Sequence, residues 1–140
     1  MGILTDVYVA TPQTAAMYDT DPRAFRDVTL EGKGIMEVEL SILWALSRNE
    51  AWSLELCQQF EEVLSSDGGE RIVLKLPDSL VTYLVESSEQ AVEAVGVRWA
   101  ATGEMSQFSQ GQIQDYLGRL SALAKLARSD GRSLYLWVCV

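Results

Sequence analysis

The seven residues from Leu134 to Val140 are all apolar or amphipathic, with no alternation of apolar and polar side chains. A strand built on such a run has no face to turn to water, so helices or another subunit must cover both of its sides. The segment therefore predicts either a central strand of a sheet or a dimer interface. The patterns before it are mainly helical, with a few short strands among them, which points to an α+β fold.

Ile3 to Ala10 reads as a strand, and Thr11-Pro12 caps and opens a short helix to about Tyr18. Asp19 to Arg26, with Pro22 and alternating charges, has no apolar period and reads as a loop. Val28 to Glu31 reads as a brief strand. Gly32-Lys33-Gly34 reads as a turn into a helix over Ile35 to Arg48, with the minority alternative of an anion-binding helix N-terminus. Ser53 caps a short helix to about Gln59. Phe60 to Leu64 and Arg71 to Leu76 flank Ser65 to Glu70, where two glycines allow a tight reversal, so the pair reads as a β-hairpin. The first arm is alternatively the end of the preceding helix. Pro77-Asp78 opens a helix to Glu86, and Ser87 with Gln90 forms a capping-box pattern for the next, which ends at Gly103. Ser109 with Gln112 repeats the pattern, and Ile113, Tyr116, Leu117, Leu120, Leu123, Ala124 and Ala127 trace one apolar stripe. Asp130-Gly131 ends that helix. The expectation is one α+β domain over residues 1–140, with about five helices and a small mixed sheet of three to five strands. The N- and C-terminal strands are expected to be neighbours and the C-terminal one central.

A chain of 140 residues with 48% apolar residues can bury one sizeable core. It lacks an apolar run long enough to span a bilayer and the basic start of a secretory signal, so a cytoplasmic location is expected. Its net charge of −9 argues against nucleic acid and anionic membranes as partners. Residues 1–97 carry 17 acidic and 6 basic side chains, and the remainder 3 and 5, so the acidity lies in the first two thirds. This is the charge of a solvated surface or of an acidic face for a basic protein partner.

Histidine is absent, which removes the Ser-His and Cys-His nucleophile pairs and the usual zinc ligand. No phosphate-loop motif occurs. Cys57 and Cys139, without metal-ligand spacing, read as small buried hydrophobes more readily than as a disulfide or a reactive thiol. Glu37 with Glu39, and Glu61 with Glu62, diverge in regular structure and make no acid-base couple. Asp19 and Asp21 are the pair most able to approach a hard cation, and with Arg23 and Arg26 they make the Asp19 to Arg26 segment a candidate binding loop. Of the four tryptophans, Trp44, Trp99 and Trp137 read as core, while Trp52 sits among polar residues and is expected to be partly exposed on a contact surface.

The tail Gly131-Arg132-Ser133-Leu134-Tyr135-Leu136-Trp137-Val138-Cys139-Val140, with the block Lys33-Gly34-Ile35, resembles a group of small uncharacterised bacterial proteins. These start on a short strand, carry a KGI segment before a helix and end in GxxLYxWVC. The resemblance is loose over most of the chain and close in the tail. It implies a bacterial, cytosolic origin and supplies no activity or binding residue. The expected function is a non-enzymatic binding or regulatory protein without a cofactor or bound metal, acting on a basic protein partner. The alternatives are a carboxylate enzyme using a divalent metal and a structural protein that forms oligomers, such as a homodimer.

Overall fold

The computed structural model describes residues 2–140. Five strands, β1 (Leu4–Ala10), β2 (Thr29–Leu30), β3 (Glu61–Ser66), β4 (Arg71–Lys75) and β5 (Ser133–Cys139), form one sheet in the order β2-β1-β5-β4-β3. The C-terminal strand is therefore central, and β1 is its neighbour. Every pairing is antiparallel, which corrects the mixed sheet expected. The α-helices are α1 (Glu37–Ser47), α2 (Leu54–Gln58), α3 (Asp78–Glu86), α4 (Glu89–Ala100) and α5 (Gln110–Ser129).

The unalternating run in β5 resolves into two faces with different covers. Leu134, Leu136 and Val138 join Val7 and Val9 of β1 and Leu74 of β4 in the larger core, closed by α1, α3, α4 and α5. Tyr135 lies on the opposite face with Tyr8, Ala10 and Val73, and Trp137 packs against that group. The register explains the match, because Tyr8 sits opposite Tyr135 and Val7 opposite Leu136, so like faces coincide. Both covers come from this chain.

The cover of the second face is not an α-helix. Two 3-10 segments, Ala15–Asp19 and Pro22–Val28, lay Ala15, Tyr18 and Phe25 over β1 and β5. This corrects the helix read from Pro12 to Tyr18 and gives regular structure to much of the Asp19 to Arg26 loop. The rings of Tyr8 and Tyr18 stack at 4.2 Å between centroids, and Phe25 meets Tyr8 edge-on at 5.3 Å. The Tyr8 hydroxyl donates to the Ala15 carbonyl, which ties the cover to the sheet. Burial pushes the phenol well above its ordinary value, so it stays protonated and available as a donor.

Local signals set the remaining boundaries. At α5, Ser109 accepts from the Gln112 amide at 3.1 Å, and the Gln112 side chain accepts from the Ser109 amide at 2.8 Å. At α4 the cap is Ser88, which accepts from the Ala91 amide at 3.1 Å, so the cap lies one residue beyond the Ser87 expected and, with alanine at the third helical position, no reciprocal box forms. Gly131 takes φ +64° after α5, a conformation other residues adopt only with strain. The Gly32-Lys33-Gly34 turn prolongs the β2 edge along β1. Gly32 accepts from the Thr5 amide at 3.0 Å, and Gly34 donates to Ile3 at 2.9 Å with φ +75°. A Cβ on Gly32 would lie 2.9 Å from the Thr5 carbonyl oxygen, so the close approach itself requires glycine. No helix among the described residues is long and apolar enough to cross a membrane.

Candidate functional site

The expected loop site divides into parts with different fates. Asp19 ends the first 3-10 segment with its side chain only 5% exposed. Its carboxylate accepts from Arg71 Nε at 2.7 Å, from Trp137 Nε1 at 3.0 Å and from Ser66 Oγ at 3.0 Å. Burial works to raise the Asp19 carboxyl, but these hydrogen bonds outweigh it and hold the group below its ordinary value. An acceptor so fully engaged is a structural tie from the 3-10 cover to β3, β4 and β5. Its oxygens are thus engaged within the protein and not turned toward Asp21. Asp21 lies exposed beyond it, and no cluster of three metal-ligating side chains occurs among the described residues.

Arg23 and Arg26 remain at the surface, three residues apart on a 3-10 segment, where that spacing places both on one side. With Tyr18, Pro22, Thr29, Leu30, Glu31 and Arg119 they line a cleft of about 530 Å³. Arg119 comes from α5, and sequence reading missed it. Its one local signal is the i, i+4 spacing to Asp115, whose carboxylate accepts from Arg119 Nε at 3.0 Å. Behind the cleft wall the Tyr18 hydroxyl donates to the Asp6 carboxylate at 2.6 Å. Desolvation raises the Asp6 carboxyl above its ordinary value, against the lowering effect of the Tyr18 and Gly32 hydrogen bonds.

Trp52 lies on a different part of the surface and is 42% exposed, as expected. Its indole is nevertheless held. Nε1 donates to Ser41 Oγ at 2.8 Å, and that hydroxyl donates to the Val38 carbonyl at 2.8 Å, so α1 sets the ring's position. Leu54, two residues on, is 62% exposed and was not singled out by the sequence. Along the same segment Glu50, Ala51, Ser53 and Glu55 line a surface trough of about 450 Å³, and Trp44, Gln59 and Ser79 connect it to a second hollow lined by Glu61, Lys75 and Asp78. Arg48 pairs with Glu50 at 3.2 Å, and Lys75 with Asp78 at 3.5 Å. Glu55 and Glu61 have no ion-pair partner among the described residues.

The other tryptophans differ in burial. Trp44 and Trp99 are core side chains, whereas Trp137 is half-buried through its bond to Asp19. Cys57 and Cys139 are both free and partly buried. Desolvation, with Glu37 nearby, pushes the Cys57 thiol up, so it is a poor nucleophile at neutral pH. Among family models, curated proteins and solved structures alike, none matches this chain.

Proposed function

We propose that this protein is a cytoplasmic, non-enzymatic binding protein that recognises a basic protein partner through the surface around Trp52. The observation that carries the reading is the exposed Trp52 ring, fixed by its hydrogen bond to Ser41, on a segment that also exposes Leu54 and whose Glu50 and Glu55 line a trough joined to the hollow lined by Glu61. An immobilised aromatic side chain loses little conformational freedom on binding, and tryptophan is enriched among the residues that dominate interface energies. Carboxylates around it favour a cationic partner and suppress neutral or acidic ones. Missing histidine agrees with binding in place of general acid-base catalysis.

Affinity capture with cross-linking tests the reading, using extract of the source organism at physiological salt. Wild-type protein is expected to recover a basic protein. Trp52→Ala with Leu54→Ala should weaken that complex by about thirtyfold or more, the size of a hot-spot loss. Glu55→Lys with Glu61→Lys should also abolish it. Recovery of no specific partner, or of one retained equally by both variants, would overturn the proposal.

A further inference from the structure

A chain of net charge −9 with only 11 basic side chains brings three of its arginines to one cleft. Arg23 and Arg26 project from the same side of a 3-10 segment, and Arg119 reaches the cleft from α5. Neither Arg23 nor Arg26 has a carboxylate within ion-pair distance among the described residues. Arg119 spends its Nε on Asp115, which leaves its two terminal amino groups for another acceptor. One acidic residue, Glu31, lines the cleft against these three cations. The cleft lining therefore carries more positive than negative side chains, a balance that favours an anion.

The geometry points to a binding site for a phosphoryl group carried on a small organic molecule. Guanidinium forks match phosphoryl oxygens, and donors arriving from two separate elements suit a tetrahedral group better than a planar carboxylate. At about 530 Å³ the cleft also exceeds what a bare phosphate fills and falls within the range of small-ligand sites. Pro22 and Leu30 supply apolar wall for the rest of the molecule. Thr29 and Tyr18 are already committed, as donors to the Phe25 carbonyl and to Asp6, so they brace the wall and the arginines hold the ligand. The site shares no residue with the Trp52 surface and stands or falls separately from it.

Calorimetric titration of the full chain with ribose 5-phosphate, pyrophosphate, inorganic phosphate and citrate tests the assignment. Ribose 5-phosphate and pyrophosphate are expected to bind, both more tightly than inorganic phosphate, with citrate weakest. Arg23→Gln with Arg26→Gln, and Arg119→Gln alone, should each weaken ribose 5-phosphate by about tenfold or more, the loss of a charge-assisted hydrogen bond. Arg26→Lys keeps the charge, removes the fork and should weaken it less, while Trp52→Ala should leave it unchanged. Thermal midpoints without ligand check that the variants fold. Absence of binding by all four probes, binding indifferent to the arginine variants, citrate as tight as pyrophosphate, or inorganic phosphate as tight as the sugar phosphate would each overturn the assignment.

Discussion

Asp19 of the 3-10 cover and Asp6 of β1, which the cover's Tyr18 meets, are pushed in opposite directions by their environments. Asp19 is held below its ordinary value of 3.8, so its contribution to stability is present above that pH and is lost as pH falls through the folded-state value. Asp6 is raised above 3.8, so the folded protein takes up its proton first and gains stability as pH falls from neutral through the folded-state value. Urea unfolding followed across pH should therefore show a gain on mild acidification and a loss below about pH 4. Asp6→Asn should reduce the gain, the remainder coming from Glu37, whose carboxyl burial also raises. Asp19→Asn should lower stability at pH 7 by about 2–4 kcal/mol, because one amide oxygen replaces a carboxylate serving Arg71, Trp137 and Ser66, and should flatten the acid loss. A variant pair with wild-type pH profiles would contradict this account. No single stretch of sequence announces the Asp19 tie, since its three partners lie 47, 52 and 118 positions away.

Elements whose determinants are local were legible from the sequence. The capping box and apolar stripe of α5 lie within the helix itself, and the glycines between β3 and β4 mark their own reversal. The two 3-10 segments were not legible as cover, because Ala15, Tyr18 and Phe25 are defined by the Tyr8 and Tyr135 rings beneath them and not by any period of their own. Likewise Arg23 and Arg26 were visible as surface cations, while Arg119, which makes their cleft, depends on where α5 crosses the sheet. Trp52 was readable from its polar neighbours, but its fixing by Ser41 depends on packing against α1. The sheet edges pose a further element-scale question. β2 is only two residues long, whereas β3 has six and leaves an edge open. Exposed Glu61 and Glu62 guard that edge beside Val63, which is itself 37% exposed. Glu61→Val with Glu62→Val should produce concentration-dependent association by light scattering, while wild type stays free of it. Equal scattering from the two proteins would show that the edge needs no such guard.

Across the whole molecule, the core is divided by the sheet into a large helical half and a smaller aromatic half, and β5 contributes to both. Its need for cover on two faces is met within one chain, so the strand that suggested a dimer interface does not require one. The acidic bias of residues 1–97 is likewise divided in space. Glu50 and Glu55, with Arg48 also in the lining, border the trough along the Trp52 segment, while Arg119 from the more basic remainder joins Arg23 and Arg26 at a separate cleft.

The antiparallel pairing of β1 with β5 also sets Leu4 opposite Cys139, so the start of the first strand and the end of the last meet at one end of the sheet. A short turn joining them would convert the most distant pairing in the chain into a hairpin, with a new opening cut at the exposed Gly103. Non-local pairings slow folding because distant segments must find one another before the contact rewards them. Such a circular permutant should refold faster than the parent in stopped-flow measurements while keeping its spectrum and urea midpoint. An unchanged refolding rate would mean that the encounter of β1 with β5 does not limit how fast this sheet assembles.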